Sequence, residues 1–284
     1  MKTPNKINIK IWLGASQMKL SDQKIQTARL DAELILAYVL KVNRTFLHAH
    51  PDKPLTKQAI FHANNLINRR LKRVPLAYIL GGKEFYGRNF VVTENTLVPR
   101  PESENNIELF KKVMQSRDTL LDVGTGCGIL AITCALEALK NDINLQVFAS
   151  DISSEALKVT ELNASNKKLD ITFLHSNLLE DIPQKILDGI TIITANLPYV
   201  DKKWVDQAQP NELHHEPQNA LYAQQNGLEL IYKLVSQAKA LPQLRYLILE
   251  ADPEQHQDII SFGKNHELEA TEISGYCILF KTAL

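Results

Sequence analysis

At 284 residues the chain is close to twice a typical domain. Its 44% hydrophobic and 23% charged residues are ordinary globular usage, which excludes a coiled-coil rod, a collagen-like chain or a disordered tail. Lys plus Arg and Asp plus Glu both total 32, so no net basic field exists to hold a long polyanion by counterion release, which disfavours a dedicated non-specific DNA binder. Three cysteines, Cys127, Cys134 and Cys277, without CxxC spacing, speak against a disulfide scaffold or zinc ribbon and for a reducing cytoplasm. No apolar run reaches the roughly 18 residues of a bilayer span. Met1 to Lys10 lacks the apolar stretch of a signal peptide, so the expectation is a cytoplasmic protein without membrane contact.

From about Asn5 to Arg73 apolar residues recur three and four apart, best seen over Ala28, Asp31, Ala32, Leu34, Ile35, Ala37, Tyr38 and Leu40, which predicts an all-helical domain over 1–74. Ser21-Asp22 and Asn43 fit helix boundaries, and Thr56 to Arg73 reads as an amphipathic helix. Its basic end, Arg69, Arg70, Lys72 and Arg73, suits a solvated last turn complementing the helix dipole. Over 75–98 the pattern becomes Tyr78-Ile79-Leu80, Gly81-Gly82, Phe85-Tyr86-Gly87 and Phe90-Val91-Val92, a β-hairpin linker. Its aromatics read as hinge packing rather than base stacking.

Over 99–284 strands and helices alternate as in a parallel sheet covered on both faces. Strands are expected near Thr119–Val123, Gln146–Ser150, Ile171–His175, Ile190–Ala195 and Tyr246–Glu250. Helices are expected at Ile129–Leu139, Ser153–Asn166 and Gly227–Ala240, and a closing antiparallel hairpin within Glu267–Lys281 turns at Ser274-Gly275.

The first of these strands runs into Asp122-Val123-Gly124-Thr125-Gly126-Cys127-Gly128 ahead of a helix. Glycines let a ligand approach the backbone, and the helix N-terminus offers free N–H groups. The next strand ends in Asp151, where a carboxylate can accept from both hydroxyls of a ribose or cap the following helix. The turn lacks the GxGxxG register of a dinucleotide site; it resembles the first motif of Rossmann-like S-adenosylmethionine-dependent methyltransferases.

Ala195-Asn196-Leu197-Pro198-Tyr199-Val200 follows the fourth strand, at the sheet edge where open α/β folds bind ligands. It resembles the Asn-Pro-Pro-Tyr-type motif of methyltransferases acting on amide or exocyclic amino nitrogens. Such a nitrogen has its lone pair delocalised and needs its N–H groups held by acceptors. Asn196 offers a side-chain carbonyl and Leu197 or Pro198 a backbone carbonyl, while Tyr199 supplies a flat wall for a planar group. Asn196, Pro198 and Tyr199 are therefore the expected catalytic residues, and Asn196 to Tyr199 the substrate contacts. In-line positioning then supplies much of the rate. Adjacent His214-His215-Glu216 lacks metal-ligand spacing, so no metal is expected, and Cys127 reads as a small turn residue rather than a nucleophile.

Four further segments decide the substrate: Ala28 to Leu36; Arg69-Arg70 with Pro75 to Gly81; Glu84-Phe85-Tyr86-Gly87; and Leu97 to Glu104. Together with Glu216-Pro217, Ala220-Leu221 and Asn226-Gly227-Leu228, they resemble the peptide chain release factor glutamine N5-methyltransferases over about residues 20 to 250. The resemblance implies an α/β fold: a Rossmann-like class I methyltransferase domain with a seven-stranded, mostly parallel sheet and a C-terminal antiparallel hairpin, preceded by a small all-helical substrate-recognition domain. It implies methyl transfer from S-adenosyl-L-methionine, leaving S-adenosyl-L-homocysteine, to the glutamine of the Gly-Gly-Gln motif of class I release factors by a monomer that meets nucleic acid only indirectly. Carried onto this chain, the cofactor positions fall on Gly124, Thr125, Gly126, Cys127, Gly128, Asp151, Leu178 and Asn196, with Glu102 near the cofactor entrance. The chain departs from the family in having Leu197 where proline is usual, as in ribosomal RNA adenine dimethyltransferases. It also has Ser176-Asn177 where an acidic residue is frequent, and only part of the usual C-terminal motif in Ile273 to Tyr276. The alternatives are an adenine N6-methyltransferase on RNA or DNA and a non-catalytic translation-factor binding module.

Overall fold

The computed structural model describes residues 7–204 and 211–282, so positions 5 and 6 of the expected helical stretch lie outside the described residues. The chain divides into two compact units, one of residues 7–81 with 211–215 and one of 82–204 with 216–282.

The first unit is helical: α1 (Ile9–Asp22), α2 (Ala28–Leu40), α3 (Arg44–Ala49), α4 (Lys57–Leu71) and α5 (Leu76–Leu80). Asn8, Asn43 and Thr56 cap α1, α3 and α4, each side chain accepting from the backbone N–H three residues on. Ile9, Trp12, Leu20, Ile35, Leu36 and Ile67 fill its core. Two features differ from the sequence reading. Arg70 is 2% exposed rather than solvated: its Nε donates to Asp31 at 2.6 Å and its other nitrogens to the Val74 carbonyl and Glu212. The helix turns Arg70 inward, and the acid found among the apolar positions of α2 is its counter-charge. Tyr78 to Leu80, read as strand, forms the end of α5. Pro75 presets the entry to this short helix and Gly81, at φ +73°, ends it.

In the second unit the hairpin β1 (Gly82–Phe85) and β2 (Arg88–Val91) turns at Tyr86-Gly87. Phe85 and Phe90 are buried edge to face, 6.2 Å between centroids, so this pair is core packing. The sheet unit then runs α6 (Glu104–Val113), β3 (Asp118–Val123), α7 (Ile129–Lys140), β4 (Leu145–Asp151), α8 (Ser154–Asn166), β5 (Thr172–His175), α9 (Gln184–Leu187) and β6 (Ile192–Ala195). It continues through α10 (Gln218–Leu221), α11 (Glu229–Ala238), β7 (Tyr246–Glu250), α12 (His256–Lys264), β8 (Leu268–Ser274) and β9 (Cys277–Thr282). Strand order is β5-β4-β3-β6-β7-β9-β8, the first five parallel and β9 antiparallel to both neighbours. The expected seven-stranded sheet with its antiparallel hairpin is therefore present. Asn163 of α8 ties the hairpin to this unit by pairing with both backbone groups of Val91, at 2.8 and 2.9 Å. Among the described residues no helix is long and apolar enough to cross a membrane. Strand order reverses between β3 and β6, the point at which open α/β sheets leave a crevice above their carboxyl ends.

Candidate active site

The loop after β3 is fixed from beneath. Asp122, buried at the strand end, accepts from Thr125 Oγ1 at 2.7 Å, Ala131 N at 3.1 Å and Thr194 Oγ1 at 3.1 Å. Burial pushes its carboxyl up to about 6 against these three donors, which favour the charged form, while the nearby charge of Asp151 raises it further. Gly124 N and Thr125 N both donate to the Ser150 carbonyl at 2.9 Å, and Thr160 and Asn163 of α8 hold the carbonyls of Gly126 and Cys127. Gly124, Gly126 and Gly128 all have positive φ, which a residue with a Cβ enters only under strain.

Asp151, at the end of β4, closes the next side. Its Oδ2 accepts from Gly126 N and its Oδ1 from Ser153 N, both at 2.9 Å; the cap of α8 is Ser153, whose hydroxyl accepts from Ala156 N. Burial raises the Asp151 carboxyl, opposed by those N–H groups. With the N–H of Ile152 also bearing on it, the carboxylate still keeps acceptor capacity for an incoming hydroxyl.

These residues line a cavity of about 340 Å³ together with Leu178 and the loop after β6. Gly124, Thr125, Gly126, Cys127, Asp151, Leu178, Asn196, Leu197 and Pro198 all face it. Gly128, Glu102 and Tyr199 do not. A Cβ on Gly128 would meet Thr160 and Ile132, so this glycine is required by α7–α8 packing. Glu102 is exposed on the turn Pro101–Ser103, and the Tyr199 hydroxyl donates to Glu250 Oε1 at 3.1 Å. Leu197 is buried, its Cδ2 lying 3.0 Å from where a Gly124 Cβ would stand, so the side chain that replaces proline is packed beneath the glycine turn. Cys127 is buried with its thiol pushed up to about 12, which leaves it inert.

The residues fit an adenosyl sulfonium ligand. The space beside Gly126 Cα is open for 4 Å, an acidic side chain stands at the next strand end, and the wall is apolar where Leu178, Ile129 and Leu130 contribute.

Other supports are long-range and carry no local motif. Asn196 Nδ2 donates to Ser103 Oγ at 3.0 Å, Gln255 Nε2 donates to the Tyr199 carbonyl at 2.9 Å, and Glu216 accepts from Val98 N and Arg100. For Glu250 one signal was available, an acid closing the apolar strand Tyr246–Leu249. His215 Nε2 lies 2.8 Å from the Lys72 carbonyl.

The PrmC N-terminal domain family matches residues 12–81, and the Methyltransferase small domain matches 103–239. A release factor glutamine methyltransferase of Buchnera aphidicola subsp. Acyrthosiphon pisum is 34% identical over 235 residues, 82% of this chain and 81% of that one. Proteins of the same name from Coxiella burnetii and Koribacter versatilis are each 36% identical. The first covers 83% of both chains, and the second 74% of this chain and 73% of its own.

Proposed function

The chain belongs to the release factor glutamine methyltransferase family, and from that membership we propose how its residues divide the work of methylating a release factor glutamine. The enzyme is a methyltransferase. The nitrogen modified is the side-chain amide N5, within the Gly-Gly-Gln motif of a class I release factor, and the helical unit recognises the protein that carries it. S-adenosylmethionine held by Gly124 to Cys127, Asp151 and Leu178 would supply an electrophilic methyl carbon on a sulfonium and leave as S-adenosylhomocysteine.

The observation that carries this reading is the shared cavity: Asn196, Leu197 and Pro198 line the same space as the glycine turn and Asp151. A glutamine amide nitrogen is a poor nucleophile because its lone pair is spread into the carbonyl. Asn196 Oδ1 and a backbone carbonyl of Leu197 or Pro198 would accept its two N–H groups, turning the nitrogen lone pair toward the part of the cavity lined by the glycine turn. Positive charge developing on the amide nitrogen would strengthen both hydrogen bonds, and the nitrogen would then release one proton to solvent. Pro198 stiffens the loop that holds these acceptors, and the buried Leu197 keeps its backbone seated against the glycine turn. Tyr199 anchors the end of that loop through its hydroxyl, and Glu102 acts from outside the cavity.

Intact-mass analysis of a class I release factor after incubation with this protein and S-adenosylmethionine is the test, followed by mapping of the added methyl. One methyl on the Gly-Gly-Gln glutamine is expected, and none with Asn196→Ala, which should keep its cofactor affinity. Methyl label in RNA or DNA with none in the release factor refutes the reading; cofactor binding without any product favours a silent binding module.

A further inference from the structure

An asparagine that must offer its oxygen to a substrate faces a difficulty of shape: the two ends of its amide are nearly isosteric, and only hydrogen bonds decide which one faces the cavity. Behind Asn196 that choice is built into the sheet. Ala195 and Leu249 are paired in register on β6 and β7, so Asn196, the first residue past β6, stands beside Glu250, the last of β7; Cys277 of β9 is paired with Glu250 on its other flank. Ser103, from the turn that precedes α6, is fully buried. Asn196 Nδ2 donates to Ser103 Oγ at 3.0 Å. A hydroxyl has a single proton, and Ser103, having accepted from Asn196, still has its own to give. The acceptor beside it is Glu250, whose carboxyl is flanked by Ser103, Tyr199 and Asn196. The carboxyl is 1% exposed. Its Oε1 takes the Tyr199 hydroxyl at 3.1 Å, while its buried Oε2 closes no hydrogen bond and so stands open as an acceptor for the Ser103 proton.

We propose that Glu250 is a positioning residue for methyl transfer: acting through Ser103 it holds the Asn196 amide with Nδ2 turned back and Oδ1 toward the cavity, and acting through Tyr199 it fixes the far end of the same loop. The proposal rests on the reading of Asn196 as the acceptor for the substrate amide. The ionised carboxylate accepts only, so it orders the whole row in one direction, from Asn196 through Ser103 to Glu250. Once protonated it can donate to Ser103, whose proton is then free to turn toward Asn196 and stabilise the reversed amide.

Groups facing the carboxyl are Glu102, Tyr199 with Tyr276 near it, and Cys277. Burial and the charge of Glu102 raise the carboxyl to about 7, against Ser103, Tyr199 and Asn196, which favour the ionised form. The same burial raises the Tyr199 phenol and the Cys277 thiol, which keeps both neutral. Turnover is therefore full above about pH 7 and falls as the carboxyl takes up its proton below it.

The experiment compares the full-length wild type with Glu250→Gln, Glu250→Asp, Ser103→Ala and the Ser103→Ala/Glu250→Gln double variant. Methyl transfer to a class I release factor, cofactor affinity and the pH dependence of kcat are measured for each. The expected result for Glu250→Gln is a fall in kcat of about 10- to 100-fold, less than or equal to the loss of a direct acceptor, with cofactor affinity kept within about 2-fold and the step near neutral pH gone. Glu250→Asp regains part of the rate and a pH step. The double variant is no slower than the worse single one, because both changes break one row of bonds. A Glu250→Gln protein with wild-type kcat and an unchanged pH profile overturns the proposal even if its Tm has dropped. Should Glu250→Gln fail to fold, Ser103→Ala decides, since it leaves the carboxyl in place: loss of the pH step supports the relay and its retention overturns it. A wild type that methylates no release factor removes the functional reading itself, and the relay with it.

Discussion

Glu216 closes back on Arg100 across 116 positions of sequence, its Oε1 accepting from the guanidinium at 2.6 Å while Oε2 accepts from the backbone N–H of Val98 at 3.0 Å. Leu97 to Arg100 and Pro217 to Ala220 both contribute to the cavity wall, so this one carboxylate joins two of its sides. Glu216 is almost wholly buried and Arg100 a third exposed. Replacing Glu216 with Gln removes the counter-charge and leaves Arg100 free to reach water, so the cost in stability should be about 2 kcal/mol, below that of a fully buried pair. Cofactor affinity should fall by about 10-fold as the wall loosens. Isothermal titration with S-adenosylhomocysteine alongside urea denaturation checks both; unchanged affinity would show that the wall stands without this tie.

Gly126 and Gly128 share a positive φ, yet the consequences of adding a methyl group differ. A Cβ on Gly126 meets nothing within 4 Å, whereas on Gly128 it lies 2.7 Å from Thr160 Cγ2 and 2.8 Å from Ile132 Cδ1. Gly126→Ala should cost about 1 kcal/mol in folding, the left-handed backbone alone, and weaken cofactor binding by obstructing open space in the cavity. Gly128→Ala should cost about 3 kcal/mol, backbone and overpacking together, with affinity kept by the molecules that fold. Paired denaturation and cofactor titrations separate the two, and a larger affinity loss in Gly128→Ala would return that glycine to the ligand contacts.

The glycine turn, Asp151 and the Asn196 to Pro198 loop are legible in sequence because each is a short string at a strand end, where local composition dictates backbone geometry. Their partners Ser103, Glu216, Glu250 and Gln255 reach Asn196, Val98 and Tyr199 across separations of 51 to 118 residues. Single polar letters at such separations leave no period or motif. Arg70 was hidden for a related reason: a basic residue near a helix end suits solvent as well as it suits Asp31, and only the packing of α2 against α4 decides. Tyr78 to Leu80 failed on length, since five apolar residues are too few to show whether the period is 2 or 3.6.

Asp122 gives a pH dependence of defined sign. Burial raises its carboxyl from 3.8 to about 6 in the folded protein. Between those values the native state holds a proton that the unfolded chain has released, so stability falls as pH rises from about 4 to about 6, and the whole penalty is present above that. At 1.36 kcal/mol per unit this is on the order of 3 kcal/mol. Glu250 contributes with the same sign, so the comparison is with Asp122→Asn. That variant keeps one carbonyl oxygen for Thr125, Ala131 and Thr194 at every pH and carries no charge there, so its stability is free of this titration. It should lose less stability than the wild type between pH about 4.5 and about 7.5. Urea denaturation at both pH values settles this; equal slopes would mean that Asp122 stays ionised throughout.

Gly227 holds the far end of the acceptor loop by having no side chain. Its φ is +84°, and a Cβ there would stand 1.9 Å from the Tyr199 carbonyl oxygen, 2.6 Å from the Tyr199 carbonyl carbon and 2.7 Å from Gln255 Nε2. That nitrogen donates to the carbonyls of both Tyr199 and Asn226, at 2.9 and 2.7 Å, so one amide stitches the loop after β6 to the turn before α11. A backbone oxygen cannot swing aside like the end of a side chain, so Gly227→Ala must displace Tyr199 and with it the carbonyls of Leu197 and Pro198. A shift of even 1 Å in groups that aim a lone pair is expected to lower kcat about 100-fold. The cofactor walls at Gly124 to Cys127 and Asp151 are held by bonds that do not involve this turn, so cofactor affinity should change by less than about 3-fold. Steady-state methylation with a class I release factor, set beside cofactor titration, distinguishes the outcomes. If Gly227→Ala keeps its turnover, the position of the Tyr199 end of the loop has no bearing on the reaction.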